Sequence, residues 1–402
     1  MIKTSRRTWW LCGLLFLATV LNYLDRQVLA LTAENIMAEF DISKEGLGEI
    51  IAAFRYAYAV FQLAGGWLVD LLGPRALYPG AVGLWSAAGM LTGFAGTAGA
   101  LWSLRFALGA GEAFNWPCAL KVTQRLLPPK DRALANGIFN SGAAAGAMIA
   151  PIVVTLVTLS FGWRAAFVVT GVLGGIWVLG WVWLTRPVAG QLGGATTTSG
   201  ALVHTLRAIL SKRAFWLLAV SAVIVNSVNY FLADWIPLYL KTERGFSFAI
   251  GNTLSILVYT GLEAGNILVG VFVKKLVERG LSLAVARQWA LFLSCVCMSF
   301  VALAGVVSSS YVAVVCLMLT ALGVAGFLVI YLTLVQDLDT AHVGASAGLL
   351  GGMGNLAYGF LSPHIGRLSD LHHTSITFGV AGVLPWLAFL VLFFGLERHE
   401  AP

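Results

Sequence analysis

The chain is 402 residues long, 59% hydrophobic and only 11% charged, with a mean hydropathy of +0.85. Soluble domains are about a quarter charged, so this composition excludes one and calls for a lipid bilayer as solvent. The formal net charge is +7, which raises nucleic acid as a partner until the charges are followed along the chain.

Basic residues precede the first apolar run, as in a signal peptide, but the run extends to about Leu31 without a small-residue cleavage site and is expected to persist as a helix. Apolar runs long enough to span fall near residues 8–31, 46–70, 76–96, 99–122, 133–159, 164–186, 214–240, 248–273, 286–307, 311–335, 343–366 and 375–396, twelve in all. With the N-terminus in the cytoplasm, the loops on that side collect Lys121, Arg125, Lys130, Arg132, Arg207, Lys212, Arg213, Lys274, Lys275 and Arg279, among others. The opposite loops hold Lys44, Arg164, Lys241, Arg244 and Arg367. That asymmetry obeys the positive-inside rule with both termini cytoplasmic, and it assigns the basic balance to topology rather than to nucleic acid.

The expected fold is therefore an all-α membrane protein, twelve transmembrane helices in two six-helix bundles. The bundles are residues 1–186 and 214–402, joined by the polar cytoplasmic linker 187–213. Six plus six is the layout of carriers whose halves rock about a midplane site. Within the linker, residues 201–212 read either as a short amphipathic helix or as a loose tether. GIFNSGAAAGAMIAP (137–151) places Gly142 and Gly146 in a GxxxG register, and LLGGMGNLAYGFLSP (349–363) repeats the theme, so close helix packing is expected at both.

Cys12, Cys118, Cys295, Cys297 and Cys316 lie in or beside apolar runs without framework spacing and read as small buried residues. No nucleotide-binding loop, hydrolase elbow or metal-ligand cluster is present in the sequence. An enzyme, a cofactor and a metal are not expected.

Charges inside the spans are the informative residues, because ionisable groups there are costly and tend to be paired or functional. Span one carries Asp25 and Arg26 in LNYLDRQVLA, and span four carries Arg105 and Glu112, seven residues apart and so on one helical face. A guanidinium can hold a carboxylate with two parallel hydrogen bonds, which makes Arg26 and Arg105 candidates for anion binding. A buried carboxyl group beside a cation can exchange a proton, which makes Asp25 and Glu112 candidates for coupling to H+. The competing reading is an ion-pair network that locks spans one and four together.

In span two, Tyr58 by itself reads as packing at a helix interface, and Arg55 could guide anions, pair with Glu49 or Asp41, or snorkel to the surface. In the second half, Tyr230, Asp234, Trp235 and Tyr239 could bind hydroxyls or form an interfacial aromatic belt. Glu263 reads as a proton site, a substrate contact or a polar interhelical contact. Asn355 is a candidate to donate and accept toward hydroxyls, ahead of Gln336.

The loop GWLVDLLGPR (66–75) resembles the signature loop of the major facilitator superfamily. That resemblance implies a gating role for Asp70 and Arg75 on the cytoplasmic side. Leu71 replaces the first arginine of the usual motif, and the corresponding loop of the second half carries Lys274 where an acid is expected. NYLDR, GEAFNWP (111–117), PPKDRALANGIFNSG (128–142) and FGWRAAFVVTG (161–171), with DWIPLYLKTERGFS (234–247) and EAGN (263–266), resemble the anion:cation symporters of that superfamily, bacterial hexuronate transporters above all.

The resemblance implies a multi-pass protein of the bacterial inner membrane, working as a monomer, that imports an organic anion with protons. A hexuronate such as glucuronate or galacturonate is the expected cargo; an aldonate, tartrate or an aromatic acid is the alternative, and a transporter-like receptor without turnover is the reading from another functional class. It matches Asp25 and Glu112 to the coupling acids, Arg26 and Arg105 to the anion-binding arginines, and Tyr58 to a site-lining tyrosine. Sugar-acid members often have Gln where this chain has Ala143, with Asn140 or Ser141 as substitutes here.

Overall fold

The computed structural model describes residues 6–194, 206–338 and 343–396, and every regular element among them is helical. The first half comprises α1 (Arg6–Phe40), α2 (Lys44–Leu72), α3 (Pro74–Thr92), α4 (Ala98–Glu112), α5 (Asn115–Leu126), α6 (Pro129–Phe161) and α7 (Trp163–Thr185). The second comprises α8 (Arg213–Thr242), α9 (Phe248–Glu278), α10 (Leu283–Val306), α11 (Ser310–Leu338), α12 (Val343–Asp370) and α13 (Thr374–Leu396). Because α4 and α5, of 15 and 12 residues, are two pieces of span four, these thirteen α-helices accord with twelve spans. Eight of the described helices are long and apolar enough, by themselves, to cross a membrane. The first span departs from expectation at its end: the apolar run stops near Leu31, but α1 stays helical to Phe40.

Two compact units emerge, residues 1–42 with 49–199 and residues 43–48 with 200–402. The linker is not polar coil throughout. Arg186–Leu192 form a 3-10 helix, and Arg125 donates to the carbonyl of Gly193, which docks this stretch on the end of α5. Residues 195–205 of the linker lie outside the described residues. Of the amphipathic helix considered for 201–212, residues 206–210 are helical, with Ile209 buried.

Lipid supplies little drive for helix association, so the first unit is held by close backbone approach. A Cβ on Gly142 would lie 2.6 Å from the Phe16 carbonyl oxygen, and one on Gly146 would lie 2.6 Å from that of Val20, so α6 presses directly on α1. Gly109 of α4 likewise sits against the Phe54 carbonyl of α2. In the second unit the tightest approaches are not in 349–363. They are at Gly366 of α12, which meets the carbonyl of Lys44, and at Gly261 and Gly265 of α9, which meet the carbonyls of Met318 and Leu322 on α11, while Gly354 of α12 packs on the Asn226 side chain at 3.0 Å. The GxxxG register at 261–265 was legible in the sequence.

The FGWR stretch is explained by packing. Gly162 turns the chain at a φ of 86°, after which the Trp163 Nε1 donates to Glu39 at 2.7 Å and Arg164 pairs with the same carboxylate at 2.6 Å. Arg164 also donates to the carbonyls of Gly93 and Ala95 at 3.0 and 2.9 Å, closing the open end of α3. Arg244 does the same in the second unit, donating to the Val307 carbonyl at 2.6 Å and to the Tyr239 hydroxyl at 2.5 Å.

The α1–α6 contact yields a measurable expectation. Gly146→Leu must separate the two helices, at a cost of about 1–3 kcal/mol for overpacking. Gly137, on the same helix with nothing within 4 Å of a built Cβ, is the control. Thermal unfolding in detergent should fall by several degrees for Gly146→Leu and stay near wild type for Gly137→Leu; equal melting temperatures would remove the close approach as a source of stability.

Candidate functional site

Span four breaks where its acid stands. Pro117 has no N–H for the carbonyl of residue 113, and Ala113 and Phe114 form a turn, so α4 ends on Glu112 and α5 starts at Asn115. The amide of Asn115 accepts from the Tyr78 hydroxyl at 2.6 Å, which anchors the break to α3. Interrupted spans place polar groups at membrane depth, where a continuous helix would leave only side chains.

Glu112 is fully buried, and its Oε2 accepts from Arg26 Nε at 2.6 Å. The pair joins α1 to α4. Arg26 does not bond its sequence neighbour Asp25, because adjacent residues diverge by about 100° around a helix. Asp25, 2% exposed, turns toward α3 and α4, where a Cβ on Gly89 would lie 3.7 Å from its Oδ1. Its charged neighbours there are Glu112 and Arg105.

An aromatic platform carries the cations. The Arg26 guanidinium lies 4.6 Å from the Tyr58 ring centre, 5.2 Å from Tyr23 and 5.3 Å from Phe54. Phe54 and Tyr58 stack at 5.6 Å, one helical turn apart on α2. Arg105 and Arg55 also approach Phe54, each at 5.4 Å. Arg55 is 4% exposed, so the snorkelling reading fails: its charge stays inside the unit. The role of Phe54 was missed from sequence; its signal was the FRYAY spacing, which puts two rings on one face beside a cation.

A guanidinium held by one carboxylate, on rings that exclude water, can exchange that partner for the carboxylate of a ligand. Proton uptake by Glu112 would free the same guanidinium. The family of the chain gives this chemistry its setting. The Major Facilitator Superfamily model matches residues 15–357. The chain belongs to the Major Facilitator Superfamily. It is 30% identical to the "Hexuronate transporter" of Escherichia coli (strain K12), covering 100% of this chain and 96% of that protein. It is 28% identical to the "Probable galactarate/D-glucarate transporter GarP" of the same organism, over 96% and 95% of the two chains. A solved bacterial homologue of the lysosomal transporter Spinster superposes with a TM-score of 0.79 at 18% identity, over 100% of both chains, and shows the shared fold. These relatives accord with the resemblance drawn from the motifs, and they make this facilitator a multi-pass membrane transporter, not an enzyme.

In the signature loop of this facilitator, Asp70 pairs with Lys121 of α5 at 2.5 Å, both side chains partly exposed, and the Arg75 side chain is exposed. The degenerate copy offers only the exposed Lys274–Glu278 pair at 3.8 Å. Ser141 spends its hydroxyl on the Ile138 carbonyl at 2.7 Å, and both it and Asn140 are exposed.

In the second unit, Asn355 is 3% exposed and its amide donates to the Tyr230 hydroxyl and to the Gly351 carbonyl, each at 3.0 Å. Tyr358 packs on Tyr230 at 5.4 Å between ring centres. Trp235 and Tyr239 are buried rather than spread as an interfacial belt, and the Tyr239 hydroxyl is committed to the Ala304 carbonyl at 2.7 Å. Glu263 is half-buried on α9, and Gln336 is exposed.

Proposed function

We propose that this protein imports an organic anion, a hexuronate such as glucuronate or galacturonate, together with protons across the bacterial inner membrane, by alternating access. The observation that carries the reading is the pair of half-buried Arg26 with fully buried Glu112, with Asp25 and Arg105 beside it, in a transporter of this superfamily. The two relatives named for sugar-acid transport support an organic anion as the cargo.

In the proposed cycle Glu112 and Asp25 take protons from the outer side. Neutral Glu112 releases Arg26, and Arg26 and Arg105 hold the cargo carboxylate in its place. Loss of the protons inward restores the Arg26–Glu112 pair and expels the anion. Carboxylate and cargo thus compete for one guanidinium, which couples the two movements without any cofactor. Tyr58 contributes to the same site, and Tyr230, Trp235, Glu263 and Asn355 are the candidates for contacts to cargo hydroxyls. Asp70 and Arg75 are assigned to gating on the cytoplasmic side, with both termini on that side and the monomer as the working unit.

The test is uptake of radiolabelled glucuronate into proteoliposomes with and without an inward proton gradient, competed by aldonates and aromatic acids. Gradient-driven accumulation that only hexuronates block supports substrate and coupling together. Accumulation of a different acid retains the coupling and moves the substrate, and absence of flux for every acid overturns the transport reading.

A further inference from the structure

The break in span four is fastened on two sides by groups that carry no charge. Asn115, the first residue of α5, is fully buried, as are Tyr78 of α3 and Thr19 of α1. The Tyr78 hydroxyl donates to Asn115 Oδ1 at 2.6 Å, and Asn115 Nδ2 donates to the Thr19 hydroxyl at 3.4 Å. Thr19 in turn gives its proton to the Leu15 carbonyl at 3.1 Å. That last bond sets the direction of the whole chain: a hydroxyl whose proton is committed can only accept, so the amide presents its nitrogen to Thr19 and its oxygen to Tyr78. Tyr78 has little room to leave, because the rings of Trp177 and Trp181 on α7 stand edge-on to it at 5.0 and 5.1 Å and stack on each other at 5.2 Å.

This chain forms the second of two rungs between α1 and span four. Thr19 lies two helical turns before Arg26 on one face of α1, and Asn115 lies just past Glu112. The pairings of Thr19 with Asn115 and of Arg26 with Glu112 run in opposite directions along the two spans, as antiparallel helices require. A proton affects the rungs differently. Glu112 takes one in the cycle proposed above, and its pair with Arg26 then opens. Amide, hydroxyl and phenol offer no group that titrates between about pH 5 and pH 8, so the neutral rung is the same at each stage. Were the charged pair alone to set the spacing, its opening would release the end of α4, and the acid would lose the geometry that returns it to 2.6 Å from Arg26. The other groups that act on Glu112 are themselves charged or titratable: Tyr23 and Asp25 beside Arg26 on α1, Arg55 on α2 and Arg105 on α4. The one charged residue of α3, Arg75, is exposed in its first turn.

We infer that Asn115 is a positioning residue for Glu112, and that the Tyr78–Asn115–Thr19 chain holds the broken span in register while the Arg26–Glu112 pair opens and closes. Asn115 acts through Glu112 and not on the cargo. The inference rests on the coupling role proposed for Glu112 and deepens it.

The experiment measures anion affinity of the full-length protein at about pH 5.5 and about pH 8, on either side of neutrality. The probe is labelled glucuronate, replaced by the best-bound acid of the uptake panel where glucuronate does not bind. Wild type should bind more tightly in acid. Tyr78→Phe removes the donor and keeps the ring between Trp177 and Trp181; the loosened span lets the Arg26–Glu112 pair lengthen, so the cargo meets a weaker competitor at the higher pH. Affinity there should rise, and the acid-to-neutral ratio should shrink by about 3- to 10-fold, the worth of one neutral hydrogen bond. Gradient-driven accumulation should fall while exchange persists. Thr19→Val should move the ratio in the same direction by less, because Tyr78 still holds the amide, and Thr19→Ser should restore it. A structural role alone lowers the melting temperature and leaves the ratio as in wild type, and that result for Tyr78→Phe overturns the inference. Where Tyr78→Phe fails to insert, the Thr19 variants decide: equal ratios for Thr19→Val, Thr19→Ser and wild type overturn it. Wild-type affinity that does not change with pH is the separate failure of the coupling role of Glu112, and it removes the inference as well.

Discussion

Glu112→Gln should abolish proton-driven accumulation while retaining binding and exchange of the anion. The substitution keeps the length of the side chain and its carbonyl oxygen, so Arg26 Nε retains an acceptor where Glu112 Oε2 now stands at 2.6 Å. What disappears is the charge that competes with the cargo. The variant therefore resembles the protonated carrier at every pH. Wild-type affinity for the anion should rise as the pH falls, because protonation of Glu112 liberates Arg26, whereas the affinity of Glu112→Gln should vary less with pH, with only Asp25 left to titrate, and be at least as tight as wild type in acid. Removal of one partner of a buried ion pair commonly costs about 3–5 kcal/mol, and the retained hydrogen bond should hold the loss of stability well below that. Uptake with and without a proton gradient, with binding measured across pH, checks both halves. Undiminished uphill transport by the variant would take Glu112 out of coupling and leave Asp25 as the candidate.

Arg26→Lys should weaken anion binding by about 10- to 100-fold, although the charge is conserved. The guanidinium has two tasks that an ammonium cannot share. Its Nε engages Glu112 while it lies 4.6 Å from the ring centre of Tyr58 and 5.3 Å from that of Phe54, and once Glu112 is neutral its fork takes the cargo carboxylate with two hydrogen bonds. A lysine presents a point charge on a flexible stem and is more strongly hydrated, so it pairs with Glu112 or with the cargo but not with the geometry of a bidentate clamp. Direct binding measurements on purified protein, with thermal unfolding as the control for folding, separate the outcomes. A weakened constant at unchanged melting temperature supports the clamp, and an unchanged constant assigns Arg26 to the scaffold that joins α1 to α4.

Membrane residence, the twelve spans and the division into halves were determined by the sequence itself. They follow from one-dimensional quantities, the length of each apolar run and the side on which Lys and Arg collect, and a bilayer reads both directly. The intramembrane charges were legible for the same reason: Asp25, Arg26, Arg105 and Glu112 stand out wherever hydrocarbon surrounds them. The GxxxG register at Gly142 and Gly146 is likewise a local pattern, and the α1–α6 contact follows it.

Pairing was decided by the tertiary structure alone. Asp25 and Arg26 are adjacent in the chain yet face different neighbours, and the partner of Arg26 is eighty-six residues away on another helix. Arg55 offered three destinations in sequence and took a buried one, since its depth depends on how α2 rotates against α1 and α4. The role of Phe54 exists only once guanidiniums from three helices gather around its ring. The GWR turn likewise resembled a family motif, and only the packed helices show Arg164 closing the end of α3. A charge in a membrane announces its cost in the sequence, but the group that offsets it depends on distances across helices, and those exist only after the helices have packed.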